Sequence, residues 1–528
     1  MKKLFTTFIA IILTINAFAI DVWDGTSSPW MQGSGTENDP YLIETAENLA
    51  YLAEKVNEGY QAQGMSVFKG VYFLLTDDLD LNNINWTPIG TASLDMNGYL
   101  FSGVFNGGYH KIDKLSITSS QDGASLFMGL NENGEIKNLS ITNGAIISNG
   151  QGAAGIVSGI TDNARVHRCG FSGSISVTGS GTYCGGGGIA AIAASNSTIS
   201  ECWFAGTFNS TNTSFIGSAG AGGIVGFAQD NAKIQNCYNA ATITINGNLM
   251  SVAAGILGAS QNSYSVKVTN CYNVGTLDAG TKGGIFGMIS PINPTKDEAS
   301  LEVTDCYYLN TCGGTTNYGT SMTSTEMQAE QFKNQLDQSE HIWVMDNGTN
   351  NGYPIHSLVE FSIFEAEEIE AHTARLSANI HKGNDNIERA YFSYSITDET
   401  EWTEIDVATD GFVEAVLEDL EPNTTYMFTI TLLFSDDIVM TSEQLFFETL
   451  DNESVAETNK HEIMVYPNPT SDYIFIENIE PQSVTIYSLD GKLIKTVENT
   501  NVIDIRDLNE GIYLINIDGA IKKFEVLP

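Results

Sequence analysis

Basic side chains are scarce in this chain: Lys and Arg number 23 against 64 Asp and Glu, a formal charge of −41. Nucleic acid and anionic lipid are held by clustered cations that displace counterions, so a surface this acidic excludes both as partners. Long apolar runs are missing after the first residues, and no transmembrane span is expected. The first cysteine is Cys169, which excludes a lipid-bearing Cys at an N-terminal cleavage junction. The His-Glu-x-x-His pattern of zinc peptidases does not occur.

What is present begins with an address. Lys2 and Lys3 precede an apolar run from Leu4 to Leu13 and the triplet Ala17-Phe18-Ala19. A charged start, a core too short to span a bilayer and a small-x-small site make a secretory signal peptide over 1–19, with cleavage expected after Ala19.

Internal repetition decides the fold class. Ile-Gln-Asn-Cys ending at Cys237 has counterparts ending at Cys169, Cys202, Cys271 and Cys306, at successive spacings of 33, 35, 34 and 35 residues. Two earlier copies end at Leu115 and Leu139, making seven turns. Upstream of each Cys copy stands a glycine-flanked apolar pair: Gly155-Ile156, Gly188-Ile189, Gly223-Ile224, Gly255-Ile256 and Gly284-Ile285. Each unit reads as three short strands: one after the glycines, one at the Ile-x-x-Cys element, and one such as Thr242 to Ile245. Strands this short cannot bury a face alone, but stacked copies share a continuous core. The expected fold is all-β, a right-handed parallel β-helix of roughly 30 Å with strands about 4.8 Å apart.

Residues three apart on a straight strand face opposite sides, so Ile and Cys both point inward only if the chain bends between them. Asn138, Asn236, Asn270 and Asp305 tolerate the left-handed conformation and mark a corner, whereas Lys114, Arg168 and Glu201 in the other copies suit it poorly. The glycines around Gly223 lack the Lys and Ser or Thr of a phosphate loop and read as corner residues supplying positive φ. The stacked cysteines behave as small buried hydrophobes with Cβ vectors poorly set for bridging, although Cys306 and Cys312 could close a small loop. Without C-x-x-C pairs or clustered His, no metal site is expected.

These units, with Gly-Gly-Ile-Val-Gly at 222–226 and Ile-Gln-Asn-Cys-Tyr-Asn at 234–239, resemble GLUG repeats. The lead-in is similar as well: Trp23-Asp24-Gly25, an amphipathic helix over Glu44 to Asn57 presenting Leu49, Leu52, Ala53 and Val56, and the Trp86-Thr87-Pro88-Ile89-Gly90 stretch. The helix would cap the open end of the rod. Ser324 to Trp343 reads as helical and leads to Asn350-Asn351-Gly352-Tyr353-Pro354-Ile355 at the far end. Asp78, Asp80 and Asn82 alternate in the manner of calcium ligands, or are simply exposed on a strand; further EF-hand positions are missing. No cofactor is expected unless calcium binds there.

From Glu360 to Glu457, 24 acidic residues face three basic ones, and alternating apolar runs between polar turns suit a β-sandwich. Leu420 to Tyr426 resembles the tyrosine corner of a fibronectin type III domain, with Trp402 a candidate core residue. The remainder, with Val465-Tyr466-Pro467-Asn468-Pro469, Asp490-Gly491 and Gly511-Ile512-Tyr513, resembles the C-terminal sorting domain of type IX (Por) secretion in Gram-negative bacteria. Pro467 and Pro469 suit a strand start and Asp490-Gly491 a hairpin turn. The resemblance implies the type IX machinery as a partner and delivery to the cell surface or medium. The expected organisation is a leader over 1–19, a cap over 20–65, a β-helix over 66–357, a type III-like sandwich over 358–450, a linker over 451–460 and a sorting domain over 461–528.

No catalytic, cofactor-binding or metal residue is nominated. β-Helices host polysaccharide lyases and hydrolases, but Lys111, Lys114, Arg165, Arg168 and Lys233 are scattered, no acid pair recurs, and no His adjoins a Ser or Cys motif. The expectation is a non-catalytic surface or secreted adhesin with a glycan or protein ligand; a polysaccharide-degrading enzyme and a purely structural surface component are the alternatives. Trp203, Phe204, Tyr238, Tyr272, Tyr307 and Tyr308 follow the ladder position, either outward as a sugar-stacking platform or inward as core.

Overall fold

The computed structural model describes residues 22–91, 94, 97–179, 183–212, 218–247, 251–261, 265–290, 301–315, 318–338, 341–346, 348–397, 399–434, 438–451, 464–466, 473–477, 481, 483–488, 493–498, 500–506, 508, 511–517 and 520–526. The leader, the linker after Asp451, Pro467, Pro469 and Asp490-Gly491 lie outside the described residues.

The repeats form a parallel β-solenoid of about seven turns. In the turn of Cys237, strand Val225–Ala228 follows the glycines, Lys233–Gln235 and Tyr238–Asn239 flank Asn236, and Thr242–Asn246 completes the circuit. Each strand pairs in parallel with its equivalent one turn on: Val225 with Leu257, Lys233 with Lys267, Tyr238 with Tyr272, Ile243 with Leu277. A further strand per turn goes beyond the expected three. Gly152–Ala154, Tyr183–Gly187, Ser218–Gly222, Ser251–Ala254 and Thr281–Gly283 make a sheet of their own just ahead of the glycine pair. Gly, Ala and Ser dominate these strands, with Val252 and Thr281 their only β-branched residues, so the strand signal is weak.

The corner expected between Ile and Cys exists in every copy. Lys114, Asn138, Arg168, Glu201, Asn236, Asn270 and Asp305 all have φ between 49° and 58°. The three poorly suited residues therefore adopt it too. A second corner, unforeseen, places Glu132-Asn133, Asp162-Asn163, Ser195-Asn196 and Asp230-Asn231 in consecutive left-handed conformations; the recurring Asn was its signal.

The glycines act otherwise than expected. Gly155, Gly188, Gly223, Gly255 and Gly284 are not at positive φ; they are required for space. A Cβ on Gly223 would lie 2.1 Å from the Gly255 carbonyl oxygen and 2.4 Å from Asn239 Cγ. The same clash recurs at Gly155 with Phe171, Gly188 with Phe204, Gly255 with Asn273 and Gly284 with Tyr308, each two residues past the ladder position. Replacing Gly223 with Ala should therefore lower unfolding free energy by about 1–3 kcal/mol in a urea titration, the cost of overpacking an unyielding backbone contact; an unchanged midpoint would refute the steric account.

Cys169, Cys202, Cys237, Cys271, Cys306 and Cys312 are free, buried thiols, so Cys306 and Cys312 are not bridged to each other. Each ladder thiol donates to the carbonyl two residues back, Cys237 to Gln235 at 3.1 Å and Cys271 to Thr269 at 3.2 Å, with the same contact at Cys169, Cys202 and Cys306. Burial pushes the Cys202 and Cys271 thiols up, which suppresses the nucleophilic thiolate. In the native protein at mildly alkaline pH, iodoacetamide should leave Cys169, Cys202, Cys237 and Cys271 unmodified and should alkylate all four in guanidinium; rapid native labelling would show that the core is open.

Helix Ala46–Asn57 buries Leu49, Leu52, Ala53 and Val56 against the rod, its start closed by a capping box between Thr45 and Asn48. Ser324–Trp343 is not one helix. Ser324–Met327 and Glu330–Asp337 are separate, and Trp343–Val344 is a strand pairing with Ile355–His356. A sandwich comes next, with Glu360–Ile363, Ala374–His381 and Gly411–Leu417 in one sheet. The other sheet holds Thr403–Val407, Ile387–Ile396, Thr425–Phe434, Val439–Thr441 and Leu445–Glu448. Tyr426 Oη accepts the Glu421 backbone N–H at 2.8 Å, the contact a tyrosine corner makes. Trp402 is 41% exposed and belongs to no core; Phe392, Phe428 and Ile430 fill it instead. The last module packs two small antiparallel sheets over Ile474, Ile486, Ile503 and Ile515.

Candidate functional site

The left-handed corner residues form a row down the rod, and the chain that leaves the rod returns to it. Arg168 Nε contacts Glu201 Oε2 at 2.7 Å across adjacent turns, and its Nη1 reaches Tyr109 Oη at 3.0 Å and Glu360 Oε1, on the first sandwich strand, at 3.4 Å. Asn138 Nδ2 donates to the same Glu360 oxygen at 3.2 Å. Further along, Asn236 O pairs with His356 Nε2 at 2.7 Å and Asn270 Nδ2 donates to Leu336 O at 2.7 Å. Arg168 is thus a clamp between rod and sandwich rather than a solvated side chain. Burial alone would raise the Glu201 carboxyl, but Arg168 and His167 hold it below its ordinary value.

Next to this row stand the aromatics; Phe204 and Tyr308 take the inward orientation, while the tyrosines at the first position past the ladder take neither of the two expected. Phe204 is core, but Tyr238, Tyr272 and Tyr307 project outward and are still buried. Tyr238 and Tyr272 stack at 5.2 Å and 4°, and Trp203 continues the stack at 6.3 Å and 14° before ending against Gly170. Residues 320–338, 341–346 and 348–357 lie over them as a strap, 320–357. Phe332 meets Tyr272 and Tyr307 edge-on, Trp343 packs on Tyr238 and Tyr272, and the Tyr272 hydroxyl donates to the Pro354 carbonyl. The platform is occupied by the chain itself.

A second outward surface is open. On the strands after the ladder, Ile117, Ile146, Ile175, Phe208 and Ile243 point into the core, and their neighbours form rows outside. One row is Ser116, Ala145, Ser174, Thr207 and Thr242; another is Thr118, Ile147, Ser176, Asn209, Thr244 and Asp278; Thr178, Thr211 and Asn246 lie beyond. Among these residues only Asp278 ionises, on a chain of charge −41. Spaced about 4.8 Å apart, hydroxyls and amides here repeat as a regular lattice.

Other candidates resolve locally. Asp78 lies near His110 and Lys111, Asp80 is paired with Lys114, and Asn82 turns at φ 55° instead of sharing a strand face with them. These carboxylates are already neutralised by cations. His167 Nδ1 does meet Ser200 Oγ at 2.9 Å, a pair that spacing concealed because the two sit on neighbouring turns. Glu201 approaches the same nitrogen at 3.8 Å, rather than the opposite ring nitrogen from which a relay carboxylate orients the imidazole.

The family model for the secretion system C-terminal sorting domain matches residues 464–525, so the chain carries the export tail of type IX secretion. Among curated proteins, a "Putative Gly-rich membrane protein" of Evansella cellulosilytica is 34% identical over 157 residues, 30% of this chain but only 17% of its own length. Among solved structures, a "putative immunoglobulin A1 protease" from Bacteroides ovatus is similar at 24% identity and a TM-score of 0.44, over 61% of this chain and 94% of that one. Fibronectin(III)-like modules of Clostridium thermocellum CbhA align at 10% identity and a TM-score of 0.15, over 32% and 93% of the two chains. Among the described residues, no helix is long and apolar enough to cross a membrane.

Glu201→Gln leaves the Arg168 guanidinium short of its nearest carboxylate in a mostly buried site and should cost about 3 kcal/mol in chemical denaturation. Because the folded carboxyl is held low, its contribution is present above its unfolded value of 4.5 and is lost as pH falls through the folded one. The variant should accordingly show a flatter stability profile over that acid range; an identical profile would remove Glu201 from the clamp.

Proposed function

We propose that the chain is a non-catalytic, surface-displayed or secreted binding protein of the adhesin type, in which a GLUG-repeat rod presents its neutral face to a glycan. The observation that supports the reading most is that face: a lattice of Ser, Thr and Asn, nearly free of charge, on a strongly acidic protein. Hydroxyl-rich ligands without charge meet donors and acceptors there and no repulsion. The signal peptide and the sorting tail supply the route outward, and a fibronectin type III-like sandwich holds the rod off the membrane.

The reading needs no cofactor and no catalytic group. The alternatives of a polysaccharide lyase or hydrolase and of a structural component differ in what they predict: turnover for one, no ligand for the other.

Two measurements test it. In its native cells the protein should be found at the surface or in the medium, its intact mass lacking the first nineteen residues, and removal of 461–528 should trap it in the periplasm. On an array of neutral glycans the purified protein should bind, and Thr207→Glu with Thr242→Glu should weaken binding at least about tenfold, a loss of 1.4 kcal/mol. Binding that ignores the two glutamates, or an array without signal, overturns the assignment of that face.

A further inference from the structure

Two of the seven histidines sit on the strap, His341 midway along it and His356 next to its C-terminal end, in opposite electrostatic settings. His356 faces the rod. Its Nε2 must carry the proton it donates to the Asn236 carbonyl, and its ring lies 5.1 Å from that of Tyr238 and 4.4 Å from Trp343. Nδ1 is buried without a hydrogen-bond partner. The rod turns Glu201, Arg168, Cys237 and Tyr238 toward it, the strap contributes the indole of Trp343, and from the sandwich Glu360 is held by Arg168. Glu201 is committed to Arg168 at 2.7 Å. A second proton on His356 would therefore be a buried donor with no acceptor, in a site that already holds a guanidinium.

His341 faces the sandwich. Its Nε2 lies 3.1 Å from Asp385 Oδ2, and its ring packs 3.8 Å from Phe434. Asp385 also accepts from Ser357 Oγ at 2.6 Å. Asp385 thus joins the strap to the sandwich at two points, the His341 ring and the Ser357 hydroxyl.

We propose that the strap is a histidine-gated cover: protonation of His356 in mildly acid surroundings releases the strap and sandwich from the rod as one body and uncovers the tyrosine ladder, while His341 keeps strap and sandwich together. Burial holds the His356 imidazole below its ordinary value in the covered state, so the cover is stable when the histidine is neutral. As pH falls below about 6.5, the value for an exposed histidine, the open form binds the extra proton and its share rises about tenfold per pH unit until the covered form also titrates.

Hydrogen exchange on the full chain, corrected for the pH dependence of intrinsic exchange, should show protection of 320–357 falling about tenfold or more between about pH 7.5 and about pH 5. Rod amides such as those of Val157–Ile160 should stay protected. His356→Gln keeps a donor for Asn236 and cannot titrate, so its strap protection should not vary with pH, whereas His341→Gln should retain the response at 320–338 and lose the joint behaviour of strap and sandwich. A wild-type strap that stays protected at acid pH, a strap in the His356→Gln variant that opens like the wild type, or loss of protection along the whole rod would each overturn the proposal.

Discussion

The left-handed residue between the Ile and Cys positions of each turn makes this rod possible. Without it Ile234 and Cys237 would face opposite sides of a strand, and no repeat could bury both. The conformation costs roughly 1–2 kcal/mol for a residue other than Gly, less for Asn or Asp. Two recurring contacts offset it. The N–H at the bend finds the carbonyl of the next turn, Asn236 to Thr269 and Asn270 to Thr304 at 3.1 Å, and the thiol one position on caps the carbonyl left behind it. Cysteine suits the position because it is a small hydrophobe with a weak donor, a combination Leu115 and Leu139 lack. The space that glycines clear opposite the bend then lets Phe171, Phe204, Asn239, Asn273 and Tyr308 close the core.

The bend also turns its side chain away from the rod core, and this gives the row its second use. Asn270 bonds to the row itself and to the strap, through Asn236 and Leu336, and Asn138 reaches Glu360 of the sandwich. Where Arg168 and Glu201 stand, the less favourable conformer is accepted because the pair joins two turns and holds the sandwich through Glu360. The Arg168–Glu201 departure from Asn thus serves an interface, and the same geometry that coils the chain anchors the first strand of the sandwich.

The repeat, the cap helix, the corner at the ladder position and the tyrosine corner are legible in the sequence because each is a local rule written in residue type: period, amphipathic spacing, Asn before Cys, Tyr after Leu-x-Pro. Contacts that depend on stacking are not legible. Glycine type does not distinguish a positive φ from a missing Cβ, so Gly223 reads as a turn residue when its role is clearance. Tyr238 and Tyr272 are outward by strand parity, and nothing local announces that residues 320–357 return to cover them. His167 and Ser200 lie 33 residues apart and meet only because the repeat has that length. Trp402 misleads for the opposite reason: an aromatic in a strand-rich module is ordinarily core, and here it stands at a strand entrance with 41% of its surface in water.

Charge distribution ties these parts to the proposed task. In the sandwich each of two arginines is engaged by two acids, Arg375 by Glu368 and Glu414, Arg389 by Glu404 and Asp406. The cations are thereby neutralised, and the remaining carboxylates leave the module strongly negative. Such a surface keeps chains apart and resists polyanions at short range, within a Debye length of about 8 Å at physiological salt. A ligand can come close only where that field is weak, and the Ser, Thr and Asn rows are such a place, kept flat by the parallel register beneath them. If the ladder under the strap is a second contact surface, it lies behind the corner of the rod where Arg168 and the histidines gather, so that its exposure answers to protons while the open face does not. The two surfaces are then separable by pH, one constant and one conditional, on a single rod.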